Sequence, residues 1–163
     1  STLSVNGELG DVKVLEEGIL GGAGTVKSIE VLTGGRVAPG NSIGTLSVTE
    51  DTTFGDGTFY DVEIQEDGTS DKLEVTGNVT IGDDVTVRVT QENIPYLDNK
   101  GNVNWDLTEN YTGIGRFNIL SAGGALTGEF ANVESNLWFY DSSLAYETND
   151  VYLELDRNEK TFF

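Results

Sequence analysis

The sequence predicts an all-β protein of the solenoid type, in which short strands alternate with tight bends. Three observations support this fold class. Apolar and polar residues alternate along many short segments, as they do along strands with one buried face. Glycine, asparagine and aspartate separate these segments from one another. No window shows the helical period of about 3.6 residues, so ordinary helices are not expected.

The stretch from Gly34 to Val48 carries the solenoid prediction most directly. Its four glycines, together with Pro39 and Asn41, permit tight turns, while Val37 and Leu46 supply apolar anchors. A hairpin would need two matched alternating runs around one turn. Here single brief strands lie between successive bends, which is typical of a chain that coils.

Two short repeats predict the length of a coil. Gly24-Thr25-Val26 recurs as Gly44-Thr45-Leu46, and Thr2-Leu3-Ser4-Val5 recurs as Thr45-Leu46-Ser47-Val48. These matches predict coils of roughly 20 residues, within the range of known solenoids.

With 163 residues the chain is long enough for one sizeable core, and we predict a single domain over 1–163. Regular coils are expected over 1–48. The turns lengthen over 49–163, where we predict an irregular capping region with a β-hairpin over 94–107. The alternating strands predicted in this region are Tyr60-Val62-Ile64, Leu73-Val75, Val79-Ile81, Val85-Val87-Val89, Phe117-Ile119 and Val151-Leu153-Leu155.

The charge balance restricts the partners of the chain. Nine basic and 28 acidic residues give a net charge of −19, which would repel phosphate backbones, so nucleic acid and anionic membranes are not expected as partners. The carboxylates are interpreted as a solvated coat, with attraction to a basic partner or to divalent cations as the alternative. No apolar run approaches the ~20 residues of a transmembrane helix. Because methionine is absent, we expect a processed piece whose signal peptide lies elsewhere.

Catalytic and metal-binding residues are not predicted. The chain has no cysteine and no histidine, which removes thiol nucleophiles, the commonest general base and the commonest metal ligand. The carboxylate pair Asp83-Asp84 follows Gly82 in a turn-like setting, where aspartate favours local hydrogen bonds. For Asp71 and Lys72 we expect a turn and a partly exposed ion pair.

An oxygen-rich run over 98–106 is the strongest candidate for a calcium loop. It fails the EF-hand pattern, because its glycine comes too early and no glutamate closes the loop. We therefore predict no metal and no cofactor.

Several motifs resemble the C-terminal passenger region of bacterial autotransporters, the outer-membrane proteins of type V secretion. They occur in the order of that family and cover roughly Gly22 to Asn158. The matching motifs are Gly34-Gly35-Arg36-Val37-Ala38-Pro39-Gly40-Asn41-Ser42-Ile43-Gly44-Thr45-Leu46, Ser70 to Gly77, Phe117-Asn118-Ile119-Leu120, Gly123-Gly124 with Leu126-Thr127-Gly128 and Phe130, Leu144-Ala145-Tyr146, and Asn149 to Leu155.

The resemblance implies a right-handed parallel β-helix, a non-enzymatic stem, and a C-terminal part that serves as an autochaperone. It implies a protein that is secreted or displayed on the surface of a Gram-negative bacterium. The expected partners are the chain's own outer-membrane β-barrel translocator and the N-terminal passenger coils. The alternative is an adhesin or signalling ligand that itself binds a host-cell protein.

The autochaperone interpretation predicts one terminal core. Aromatic residues concentrate toward the C-terminus, and glycines 123, 124 and 128 allow the backbone between the strands to turn sharply. The residues predicted to form this folding core are Phe117, Ile119, Leu120, Leu126, Phe130, Tyr146 and Leu153.

Overall fold

A computed structural model describes residues 1–65, 68–91, 115–137 and 140–157 of the chain. This part contains sixteen β-strands and no helix, so the all-β prediction is confirmed. A search of the same residues finds no helix that could span a membrane. The strands are β1 Thr2–Ser4, β2 Glu8–Val14, β3 Ile19–Gly22, β4 Thr25–Val31, β5 Arg36–Pro39, β6 Thr45–Val48, β7 Thr52–Phe54, β8 Thr58–Ile64, β9 Lys72–Val75, β10 Val79–Ile81, β11 Val85–Gln91, β12 Arg116–Ala122, β13 Leu126–Thr127, β14 Asn132–Ser135, β15 Tyr140–Glu147 and β16 Asp150–Arg157.

These strands form three ladders, which we call faces 1, 2 and 3. Face 1 is the parallel sheet β1-β3-β5-β8-β11-β14. The other sheet divides at β4, because the first half of β4 pairs with β6 and its second half pairs with β7. Face 2 continues from β6 through β9 and β12 to the hairpin of β16 and β15, and face 3 continues from β7 through β10 to β13.

The chain visits the faces in a constant order. β5, β6 and β7 lie on faces 1, 2 and 3, and so do β8, β9 and β10, and then β11, β12 and β13. We call each circuit of the chain through the faces a pass. In the first two passes a single continuous strand, β2 or β4, contributes to both face 2 and face 3. These two strands pair with each other in parallel. Each pass therefore stacks on the one before it through parallel strands.

Alternation along each strand explains where the core lies. Leu20, Val37, Tyr60 and Val87 occupy matching positions on successive strands of face 1, and all four are at most 1% exposed. The six strands predicted from alternation are all present, and their apolar members are buried. One side of every face thus points into a shared interior.

The number of residues between paired positions of successive passes is not constant, and the repeats used to predict a coil length are not in register. Val26 pairs with Leu9 in the pass before it and with Val48 in the pass after it, and Val48 then aligns with Val75. The interval between these partners grows with every pass. Thr25 pairs with Ser47 rather than with Thr45, so the Gly-Thr-Val repeat does not mark equivalent positions.

Most of the added residues lie between faces 1 and 2, at a position that we call the growing corner. The strands on either side of it are separated in sequence by residues 5–7 in the first pass, by residues 23–24 in the second, by residues 40–44 in the third and by a longer stretch in each later pass. The corner between faces 2 and 3 keeps a constant length in the passes 49–51, 76–78 and 123–125. The predicted hairpin over 94–107 and the oxygen-rich run over 98–106 lie outside the described residues.

The last two described strands form a hairpin that was not predicted at this position. β15 and β16 are antiparallel and joined by Thr148 and Asn149, and β16 also pairs antiparallel with β12. Thr148 has a φ of 52°, a left-handed conformation that is rare for a β-branched residue. The hairpin therefore covers the edge of face 2 that β12 would otherwise leave open.

Candidate functional site

Three aromatic rings meet in the interior at the C-terminal half of the molecule. Phe54 lies on face 3, Tyr60 on face 1, and Phe130 in the corner between β13 and β14. The ring centroid of Phe54 is 5.8 Å from those of Tyr60 and Phe130, and the Tyr60 and Phe130 centroids are 6.0 Å apart. Contacts of this kind stabilise a core beyond the area that they bury. This aromatic cluster joins three passes of the chain.

The hydroxyl of Tyr60 is satisfied inside this core. It donates a hydrogen bond to the backbone carbonyl of Ile119 on β12. Burial raises the pKa of Tyr60 well above its usual value, and the nearby Asp71 carboxylate raises the pKa further. Tyr60 therefore connects β8 to the next pass through a neutral, buried hydroxyl.

Four of the predicted folding-core residues lie on the paired strands β12 and β16. Phe117 is 2% exposed, and Ile119, Leu120 and Leu153 are fully buried. Alternation alone would place Ile119 and Leu120 on opposite sides of the strand. A register shift between Asn118 and Leu120 lets both neighbours point inward.

The other three predicted residues lie at the margin of this core. Phe130 is 8% exposed and belongs to the aromatic cluster, whereas Leu126 and Tyr146 are partly buried and pack against the core. Leu126 stands on β13, which is only two residues long and is the last described strand of face 3. The Tyr146 hydroxyl accepts the backbone N–H of Phe130 at 2.9 Å. That bond fastens the hairpin to the aromatic cluster.

A surface network also holds the hairpin in place. Arg116 at the start of β12 forms ion pairs with Glu147 on β15 at 2.7 Å and with Glu154 on β16 at 3.2 Å. Its guanidinium lies 3.9 Å from the ring centroid of Tyr152, a cation–π geometry. One arginine therefore contacts both strands of the hairpin.

The backbone of Asp83, one of the two candidate catalytic aspartates, takes part in a structural hydrogen bond. Asp83 lies in the bend between β10 and β11, and its N–H donates to the Asp56 carboxylate at 2.7 Å. The prediction of a partly exposed Asp71–Lys72 pair is wrong, because Asp71 is 2% exposed and Lys72 pairs with Glu74 at 2.6 Å. Across the described ranges no group of three acidic side chains is arranged to hold a metal ion.

Phe54 is fully buried but is not among the core residues predicted from the sequence, although a signal for it exists. Leu46 to Gly57 aligns without gaps with Leu73 to Asp84, with Val-Thr and Gly-Asp at equivalent places. In that alignment Phe54 corresponds to the buried Ile81. Comparing the segments that follow the growing corner would have assigned Phe54 to an inward position.

Comparison of the sequence with known proteins finds relatives among secreted bacterial proteases. The chain is 33% identical over 161 residues, 98% of its length, to an extracellular serine protease of Serratia marcescens. It is 28% identical over 162 residues to a second extracellular serine protease of the same bacterium. No family model matches the sequence. The chain spans about 15% of the length of each of these two relatives, so it is related to one segment of each.

Proposed function

We propose that the chain is the stem of a secreted autotransporter passenger, a right-handed parallel β-helix whose C-terminal part caps the coils and promotes their folding. The constant order of the three faces and the parallel pairing between passes support the β-helix. Similarity to a segment of two extracellular proteases supports secretion as part of a longer protein. Because the match covers so little of those proteases, the stem itself is taken to be non-enzymatic.

The observation that carries this proposal is the difference between the two ends of the stack. Leu3 and Leu9 occupy the inward positions above the buried Leu20 and Val26, yet each is 46% exposed. Among the described strands none pairs with the outer edges of β1 and β2. An incoming coil would cover these leucines and hydrogen-bond to both edges. We propose that the N-terminal passenger coils stack here.

The opposite end carries the terminal hairpin. An open edge of a sheet is a template for unwanted pairing, and a covering hairpin removes it from face 2. In the proposed role, the C-terminal part leaves the outer-membrane barrel first and folds around Phe117 and Phe130. Later coils then add to the open edge, one pass at a time.

The test is secretion of the full-length protein with Phe117→Ala or Phe130→Ala. We expect an inserted translocator, but a passenger that proteases degrade or that is poorly displayed on the cell. Val5→Ala, in the first pass, is the control and should have a smaller effect. If Val5→Ala prevented folding of the whole passenger while both phenylalanine variants were secreted normally, the folding role would be wrong.

A second candidate is a ligand for a host-cell protein, and the growing corner favours it. Solenoid proteins often carry their binding loops at one repeated position, and here most of the added residues fall at the same corner. Saturable binding of the purified chain to host cells would support this role. Absence of binding, together with restored secretion when the chain is supplied separately, would support the stem alone.

A further inference from the structure

The carboxylate of Asp71 is buried in the growing corner, immediately before β9. Its Oδ1 accepts the N–H of Gly44 at 2.9 Å, and its Oδ2 accepts the N–H of Glu63 at 2.9 Å. Gly44 precedes β6 in the third pass, whereas Glu63 lies near the end of β8 in the fourth pass. A single side chain therefore joins two successive passes at the corner where their lengths differ.

The backbone around this carboxylate is shaped to receive it. Gly40 has a φ of 87°, and a Cβ added there would lie 2.7 Å from Oδ1 of Asp71. The N–H of Asp71 donates to the carbonyl of Glu63 at 2.9 Å, and the N–H of Lys72 donates to the carbonyl of Gly44 at 3.1 Å. The backbone of the third-pass corner therefore contacts Asp71 immediately before the first paired residues of β6 and β9.

The constant corner between faces 2 and 3 uses a different arrangement. There Asp51 accepts the N–H of Asn78 at 2.8 Å, and Asn78 accepts the N–H of Ala125 at 2.8 Å. Each of these side chains accepts through one oxygen in an exposed setting, where water can replace the bond. Asp71 uses both oxygens and is buried, so the amides that it binds would have to find new partners.

We propose that Asp71 is a register lock. It fixes Gly44 against the start of β9, so that Thr45 pairs with Lys72 and residues inserted in the growing corner do not shift the face 2 ladder. A shift by one residue would turn the inward side chains of β9 toward solvent. The lock acts within the chain itself and does not depend on the proposed role in secretion.

Hydrogen exchange of the purified chain, measured by NMR for each amide, tests the lock. Asp71→Asn keeps the size of the side chain but offers one acceptor oxygen instead of two. We expect the Gly44 or the Glu63 amide to exchange about tenfold faster, as the loss of one buried bond implies, while the Val79 amide on face 3 changes little. Asp51→Asn is the matched control, because one oxygen is enough for its single bond, and it should leave exchange unchanged.

Asp71→Ala should accelerate exchange at both amides. If this variant does not fold, the Asn variant still decides. Unchanged exchange at Gly44 and Glu63 in Asp71→Asn would overturn the proposal. An equal acceleration on all three faces would also overturn it, because the residue would then contribute only to general stability.

Discussion

The two ends of the stack contain the same kind of inward residue in different surroundings. Leu3 and Leu9 at the N-terminal end are 46% exposed, whereas Leu120 and Leu153 at the C-terminal end are fully buried. All four lie on the inward side of strands with parallel or antiparallel partners. The difference is that β16 covers β12, while no described strand covers β1 or β2. In a stacked chain, burial comes from the neighbouring pass, so stability should be concentrated at the covered end.

The largest effect is expected from a buried aromatic residue at the covered end. Phe130→Ala should lower the free energy of unfolding by ~3–5 kcal/mol, because it opens a cavity beside Phe54 and Tyr60. Leu3→Ala should cost less than ~1 kcal/mol, since that side chain is nearly half exposed. Denaturant titrations of both variants measure the difference. Equal losses would remove the distinction between the two ends.

A smaller effect is expected from the Tyr60 hydroxyl. Tyr60→Phe should cost about 1 kcal/mol near neutral pH, through loss of the hydrogen bond to the Ile119 carbonyl. Because the folded pKa of Tyr60 is raised, its stabilising contribution is complete below the unfolded tyrosine value of about 10 and is lost as pH rises above it.

Unfolding measured between pH 8 and 11 separates these contributions. The wild-type chain should lose stability steeply above about pH 10, and Tyr60→Phe should lose it less steeply. Some dependence should remain in the variant, because burial also raises the pKa of Tyr146. Identical alkaline profiles for the two proteins would show that burial of Tyr60 does not contribute to the loss of stability at high pH.

The terminal turn offers a stabilising change that sharpens the comparison. Thr148→Gly should raise the free energy of unfolding by about 1 kcal/mol, because glycine adopts a left-handed φ without the steric cost of a side chain. Glu17 has a φ of 63° in the turn before β3, so Glu17→Gly is the matched change at the open end. We expect Thr148→Gly to raise the thermal midpoint more than Glu17→Gly does. If Glu17→Gly raised the thermal midpoint more, the thermal stability of the chain would depend mainly on the open end.

The strands themselves could be predicted because alternation is a local property. Tyr60, Val62 and Ile64 are buried on one side of β8 while Asp61 remains on the other, as their order in the sequence requires. The coil length could not be predicted in this way. It changes at the growing corner from pass to pass, so a search for one constant period finds matches such as Gly24-Thr25-Val26 with Gly44-Thr45-Leu46, which the structure does not pair.

The candidate site was predictable only in part. Phe117, Ile119 and Leu153 follow from alternation, but Leu120 becomes buried through a register shift that no residue pattern announces. The meeting of Phe54 with Phe130 depends on how the passes align across the interior, which the order of residues does not fix. The terminal hairpin was missed because Thr148-Asn149 lacks the glycine that usually marks a two-residue turn.

Native-state hydrogen exchange of the whole chain tests the central claim most directly, because it ranks the local stability of every strand in one experiment. The amides of β12 and β16 that pair with each other should exchange only through global unfolding. Those of β1 and β2 should exchange through local opening at low denaturant. Protection that is equal at both ends, or greater in β1 and β2, would contradict the account of a C-terminal part that folds first and supports the rest.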